Sequence, residues 1–351
     1  MTIESNTTAN PTPIDRNKML LRAMVQGMYD IQKQRIETGN RLCATFKYKL
    51  GIKPGQPEPH TVDDIVGSTV SVITGGGEEN NEANNVSPAE AAAARKKAAE
   101  DVKLLTQLRS DYKLITEGVV KLRRDGTRDG DGLIDNKAEA ALVGVWVGMY
   151  EQEQSLAKQL AKVVEAFPIW TDWMEGVRGC GPTMAAVIIS HLDIHRARYP
   201  SSVWRYAGLD VTPEGRGRSR RKAEMGTTTY TDPKTGEVKE KKTLGYNPFL
   251  KTKLMGVLAD SMIKSNSQYR VVYDARKVRT QGYNAVDPER FKTPAHRHMD
   301  AKRHMIKVFL ADLYAVWRGM EGLEVHPWYA EEKLGIVHSR PPIMGASSEA
   351  A

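Results

Sequence analysis

Helical periodicity limits this chain more than any other property. Between residues 14 and 50, Met19, Leu20, Ala23, Met24, Met28, Ile31 and Ile36 recur at steps that gather apolar side chains on one side of a helix. A second helix is expected over 89–124, after Ser87, Pro88 and Glu90. Those residues supply a hydroxyl cap, a proline at the first position and an acid in the first turn. A third is expected over 137–168. There Leu156, Leu160, Val163, Val164 and Phe167 make a stripe that suits a coiled-coil partner, an antiparallel hairpin or an ordinary bundle face. No run of alternating β-branched residues in this half would build a mixed sheet.

Between these stretches the punctuation is clear. Residues 1–13 read as a disordered tail, and a flexible linker spans about 52–88, with Gly, Asn, Glu and Ala dominating from residue 75. The segment Asp125-Gly-Thr-Arg-Asp129-Gly-Asp131-Gly132-Leu-Ile134 invites comparison with a calcium loop. With Gly132 in the sixth position, Thr127 falls in the first and Ala138 in the twelfth, so the first ligand and the bidentate acid are both missing. A solvated interhelical turn is the better reading. Two cysteines, Cys43 and Cys180, build neither a disulfide framework nor a four-ligand zinc site. No metal or cofactor is called for. No apolar run of about 18 residues exists, and the opening residues lack the order of a signal peptide. The expectation is a soluble, cytoplasmic protein with no membrane role.

Charge is segregated. Residues 176–318 carry 27 lysines and arginines against 13 aspartates and glutamates, a local +14, while the remainder carries 24 against 30. A polyanion binder leaves such a footprint.

Within that basic part lies Trp170-Thr-Asp-Trp173-Met174-Glu-Gly-Val177-Arg178-Gly179-Cys180-Gly181-Pro182-Thr183, followed by Ala185 and Ala186. Trp170, Trp173, Met174 and Val177 mark one face of a first helix. Gly179 and Gly181 permit a tight turn, and Pro182 opens a second helix where its missing N–H costs nothing. This is the helix-hairpin-helix pattern. Free amides at the positive end of the second helix, from Gly179, Gly181 and Thr183 beside Arg178, can meet a phosphate oxygen without reading a base. The expected fold class is mainly α, a helical N-terminal region plus a C-terminal domain that contains this hairpin. The expected divisions are 14–136, a long coiled-coil-like helix over 137–175, the nucleic-acid-binding domain over 176–318 and a tail over 319–351.

A run of further blocks follows the hairpin: Asp193, Arg198-Tyr-Pro200-Ser201, Tyr206-Ala-Gly-Leu209, Asn247-Pro-Phe-Leu-Lys251, Tyr269-Arg-Val-Val-Tyr273, His296-Arg-His-Met-Asp-Ala-Lys-Arg303 and the stretch from Phe309 to Arg318. Together these resemble the C-terminal domain of a family of bacterial insertion-sequence transposases, the bridge-RNA-guided recombinases. The similarity covers roughly residues 150–318. It implies a DNA partner, with structured RNA or a hybrid as other polyanions of the same chemistry, and association with the nucleoid. It also implies a nucleophilic serine in the loop after Leu209 and a separate RNase H-like DEDD domain that binds Mg²⁺. Residues 1–150 show neither the strands nor the carboxylate order of a DEDD domain.

The loop itself reads Pro213-Glu-Gly-Arg216-Gly217-Arg218-Ser219-Arg220-Arg221-Lys222. Cations spaced by glycines adapt to a phosphate backbone. Ser219 is the nearest candidate nucleophile, although the family's short Ser-Gly-Gly-Lys-like spacing is altered and an extra stretch over 227–243 intervenes before the next shared block. Lys251, Arg297, Lys302 and Arg303 complete the expected backbone contacts. His296, His298 and His304 lack the spacing of a helical metal pair and read as polar or phosphate-facing groups. Three functions remain open on these residues. One is DNA binding in transposition or recombination, and a second is a serine transposase whose DEDD domain comes from a partner. The third is a helical scaffold, including a homo-oligomer formed through the helix over 140–168.

Overall fold

The computed structural model describes residues 13–52, 88–123, 128–211, 217–218, 225–232, 234–281, 293–328, 332–333 and 335. The expected tail over 1–13 and linker over 52–88 lie almost wholly outside them. The described residues are mainly helical. They form two compact units, Ala23–Leu160 and a second made of Met1–Arg22 with Ala161–Ala351. The long helix expected to stand apart over 137–175 is therefore divided, most of it belonging to the first unit.

The first unit is built from α1 (Pro13–Lys49, from Ala23 onward), α2 (Pro88–Thr116) and α3 (Lys137–Val164, as far as Leu160). Leu42, Cys43 and Phe46 of α1 pack with Leu104 and Leu108 of α2 and with Val143, Trp146 and Val147 of α3. Gly39 brings α1 close to α3: a Cβ there would stand 3.0 Å from the Trp146 indole nitrogen. Arg35 and the Gln32 amide both donate to the Glu153 carboxylate, which satisfies a buried acid from within the unit.

The segment compared with a calcium loop is organised by a side chain instead. Arg128 lies with only 5% of its side chain exposed, paired with Asp111 of α2. Its guanidinium donates to the carbonyls of Gly130 (3.1 Å), Asp131 (3.0 Å) and Ile134 (2.7 Å). The Asp111 carboxylate in turn accepts from the Leu133 and Ile134 amides, both at 2.9 Å. Gly132 is needed because a Cβ would fall 2.1 Å from the guanidinium. Ile134 is fully buried, so the turn is a packed part of the core and not merely solvated. A cation does sit inside this carbonyl-lined loop, and it is covalently part of the chain.

The second unit contains α4 (Pro168–Thr171), a 3₁₀ turn (Met174–Gly176), α5 (Pro182–His191), α6 (Pro200–Tyr206), the strands β1 (Gly226–Thr231) and β2 (Val238–Thr243), α7 (Pro248–Thr252), α8 (Ala259–Lys264), α9 (Arg270–Gln281) and α10 (Pro294–Met320). A π-helical turn, Lys253–Leu258, joins α7 to α8. Proline opens α4, α5, α6, α7 and α10 at positions where no amide is required. Asn247 caps α7 by accepting from the Leu250 amide at 3.0 Å, and Thr293 does the same for α10 from His296 at 3.3 Å.

α10 is the centre of this unit. Its Met305, Ile306, Phe309, Leu310, Leu313 and Tyr314 are buried, with Trp173 stacked on Phe309 and Tyr269 edge-on to it. The buried Tyr269 hydroxyl donates to Asp312 at 2.8 Å. Arg318, 7% exposed, donates to the carbonyls of Ile194 and Ala197, which ties the segment after α5 to the end of α10. The region expected to be a C-terminal tail is docked at its start. Trp328 is 9% exposed and meets Trp204 edge-on, while His326 leans on Tyr199. Of the stripe offered for oligomerisation, Leu160, Val164 and Phe167 are buried within the chain, and Leu156 and Val163 are half-buried.

Candidate nucleic-acid interface

The hairpin departs from its expected form in one respect. Trp170, Trp173, Met174 and Val177 are all buried, yet Trp170 lies on α4, Met174 on the 3₁₀ turn, and Trp173 and Val177 flank that turn, so no one continuous helix carries them. A four-residue helix followed by a 3₁₀ turn presents the same apolar set, because the tryptophans are held by core contacts and not by helical register.

Its two glycines play different parts. Gly179 has φ +88°, and a Cβ there would sit 2.8 Å from the backbone nitrogen and Cα of Met262 on α8. The fold demands glycine at that point. Gly181 has φ −74° and is exposed, and a Cβ there would meet nothing within 4 Å. Nothing in the packing asks for glycine at 181. Its carbonyl accepts from the Met184 and Ala185 amides at 3.0 Å, so it begins α5, a helix whose last eight residues are buried. The amides of Gly181 and Thr183 have no acceptor among the described residues. They form the positive end of a helix seated rigidly in the core, which is the geometry that holds an anion. Arg178 is exposed beside them, and its own amide donates to Gln268 at 3.2 Å.

The basic loop is pinned at the points where it is described. Val211 bridges Gly217, and Arg218 pairs with Asp210 through contacts of 2.9, 3.0 and 3.1 Å. The Lys251 ammonium donates to the Arg218 carbonyl at 2.7 Å, and the Arg303 guanidinium packs on the backbone of Gly217. Ser219, Arg216, Arg220, Arg221 and Lys222 lie outside the described residues. Lys302 is different in kind: 4% exposed, it is held by Asp260 at 2.8 Å and serves the fold. Arg297 sits in the first turn of α10, half-buried.

Around the pinned loop the structure gathers cations that sequence spacing does not connect. Arg276 of α9 pairs with Asp300 of α10 at 2.6 Å. Lys307 lies 4.3 Å over the Trp204 ring, whose indole N–H donates to the Lys307 carbonyl. Burial first, and then Arg303 and Arg276, push the Lys307 ammonium below its ordinary range, against the pull of Asp210 and Asp300. Arg276, Arg279, Arg303 and Lys307 thus act on one another's surroundings in a region that also holds Asp210 and Asp300. Cations this close, one of them lowered by burial and by its neighbours, raise the local positive potential.

Two histidines of this region, His298 and His304, are held toward the neutral form. Burial, then Arg276 and Lys307, lower His304 to about 4. Burial and Lys302 lower His298, whose Nδ1 meets the Tyr273 hydroxyl at 2.7 Å. A histidine with a depressed folded value charges first in the unfolded chain. The second unit is therefore expected to hold its stability above about pH 6.5 and to lose up to about 3 kcal/mol through His304 as the pH falls toward 4. Chemical denaturation at pH 7 and pH 4.5, compared between the natural chain and His304→Gln, checks this.

Among the described residues no group of three or more His, Cys, Asp and Glu side chains could hold a metal ion. Both cysteines are buried thiols pushed up to about 12 by burial. No helix among the described residues is long and apolar enough to cross a membrane. No protein-family model, no curated protein and no solved structure matches this chain.

Proposed function

We propose that the second unit binds DNA and acts in transposition or recombination as the DNA-gripping half of an insertion-sequence type of transposase. The observation that carries this reading is Gly181. It is a glycine the fold does not need, exposed, with its own amide and that of Thr183 given no acceptor among the described residues at the head of a buried helix. A side chain there would cost the fold little and would stand between the amides and a phosphate. The cationic cluster around Arg218 and Lys307 supports it, since backbone phosphates are the polyanion such clusters meet. The blocks from Gly179 to Arg318 resembling the transposase domain supply the biological setting.

Gly181→Ala is the decisive variant. Alanine is a poorer N-cap than glycine but lowers the entropy of the unfolded chain, and the two effects nearly cancel. Stability is expected to stay within about 0.5 kcal/mol of the natural chain. Affinity for duplex DNA should drop about tenfold, the value of one charge-assisted hydrogen bond. Fluorescence anisotropy with a labelled duplex, run beside a thermal melt, reads both. In the same titration, affinity between about 50 and 200 mM salt should fall by orders of magnitude. Binding that ignores salt would return the chain to the scaffold reading.

The serine-transposase reading is favoured by one further observation. Gly217 and Arg218, which precede Ser219 in the chain, are held by Arg303, Lys251 and Asp210, and cations of this kind stabilise a reacting phosphate. Ser219→Ala should abolish strand joining and leave duplex binding intact. Joining by the alanine variant at the natural rate removes the serine from the chemistry.

A further inference from the structure

The stretch that interrupts the transposase-like blocks folds as an antiparallel ribbon, β1 paired with β2 from Gly226↔Thr243 to Thr231↔Val238. Every residue of β1 is exposed, as are Val238, Glu240, Lys241 and Lys242 of β2, so neither face is covered by another element of the described chain. A two-stranded ribbon alone in water is marginal. This one is built from β-branched threonines, which favour the extended backbone without needing a core. Its far end is closed by a turn in which the Gly236 amide donates to the Asp232 carbonyl at 2.8 Å and Gly236 takes φ +69°.

The register sorts the side chains into two unlike faces. One carries Thr228, Tyr230, Lys239, Lys241 and Thr243, with no carboxylate; the other carries Thr227, Thr229, Thr231, Val238, Glu240 and Lys242. Lysines on an edge also discourage pairing with other strands, but that role does not require one face free of acids. Lys239 is held by Asp232 at the turn, at 2.6 Å, an exposed pair of little energy, and Lys241 has no carboxylate partner among the described residues. Six residues per strand span about 20 Å, and the major groove of B-form DNA, about 12 Å wide, admits a two-stranded ribbon. The ribbon leaves the chain between the basic loop and Lys251, so its base stands beside the expected phosphate contacts.

We infer that this ribbon enters the major groove of duplex DNA with its Tyr230–Lys241 face and supplies the base selectivity that the phosphate-gripping hairpin lacks. Threonine hydroxyls and lysine ammonium groups meet the acceptors on guanine edges, and threonine methyls meet the thymine methyl group. The inference rests on the DNA-binding reading above, and the following test separates the two.

The full chain is used to select duplexes from a randomised library, and the affinity for the selected duplex is divided by that for a random one. The same ratio is measured for a chain in which Gly-Ser-Gly replaces residues 227–242, for Tyr230→Ala with Lys241→Gln, and for the opposite-face variant Thr229→Ala with Lys242→Gln. The ribbon deletion and the Tyr230/Lys241 variant are expected to lose about tenfold or more in this ratio, while the opposite-face variant keeps it. The deletion should still bind random duplex and melt with the natural chain, because no core is removed. Duplex carrying glucosylated hydroxymethylcytosine, which fills the major groove and spares the phosphates, should bind the natural chain no better than random duplex. A deletion that binds random duplex and keeps the full ratio overturns the ribbon's role and leaves the DNA-binding reading standing. So does a natural chain that binds duplex but selects nothing, or one whose ribbon-dependent affinity is equal on double-stranded RNA, whose major groove is too narrow. Failure of the natural chain to bind any duplex at low salt removes the DNA-binding reading itself.

Discussion

Arg128→Met is expected to destabilise the first unit by about 3–5 kcal/mol, the cost of leaving a buried carboxylate without its cation. Asp111 is 7% exposed and would keep only the Leu133 and Ile134 amides as partners. The variant also frees the carbonyls of Gly130, Asp131 and Ile134, so the turn from Arg128 to Asp135 should lose its protection from hydrogen exchange. Adding Asp111→Leu should recover much of the loss, since an apolar pair of similar size removes the uncompensated charge. A double-mutant cycle by chemical denaturation reads the coupling.

The pH dependence of the same pair has opposite signs in the two proteins. In the natural chain burial alone would raise the Asp111 carboxyl, but the Arg128 guanidinium and the Ile134 and Leu133 amides outweigh it and hold it below its ordinary 3.8. Its contribution is therefore complete above pH 3.8 and is lost as the pH falls through the depressed folded value. Without Arg128, burial dominates and the folded value rises above the unfolded one. The Arg128→Met chain should then gain stability on acidification from pH 7 toward 4, where the natural chain gains nothing from this site. A variant whose stability has the natural pH profile would show that Arg128 does not hold the carboxylate.

Gly179→Ala is the second large effect, expected at about 2–5 kcal/mol. An L-residue at φ +88° pays about 1–2 kcal/mol for its backbone, and the new methyl meets backbone atoms of Met262 at 2.8 Å that cannot turn aside. For a unit of this size the melting transition should fall by about 2–4 °C per kcal/mol. The contrast with Gly181→Ala is the useful measurement. Two glycines two residues apart should divide cleanly, one failing in stability and the other in DNA affinity. Equal loss of stability at both positions would mean that Gly181 is also a packing residue.

Much of this arrangement was legible in local signals. Proline marks the starts of α5, α6, α7 and α10 in the sequence as well as in the structure, because a missing amide is harmless only in a helix's first turn. The apolar spacing of residues 156–167 marked Leu160, Val164 and Phe167, all of them buried. The ribbon was overlooked although its signals are local: threonine-rich segments flank Asp232-Pro-Lys-Thr-Gly236, a turn sequence. The pattern from Trp170 to Val177 misled in the other direction, since helical spacing over eight residues is also met by a short helix and a 3₁₀ turn when core contacts choose the backbone.

What sequence by itself determined is the helical class, the hairpin turn and the basic character of residues 176–318, each of them set by residues within a few positions of one another. Tertiary structure alone decided which charges are spoken for. Asp111 finds Arg128, Asp210 finds Arg218 and Asp260 finds Lys302, and the last of these joins residues 42 positions apart. It alone also separated Gly179, where a side chain would strike α8, from Gly181, where a side chain would meet open space. The physical reason is range: helix starts and turns are fixed by steric and hydrogen-bond rules along the backbone, whereas the partner of a charge and the space beside a glycine depend on elements the chain brings together only when it folds.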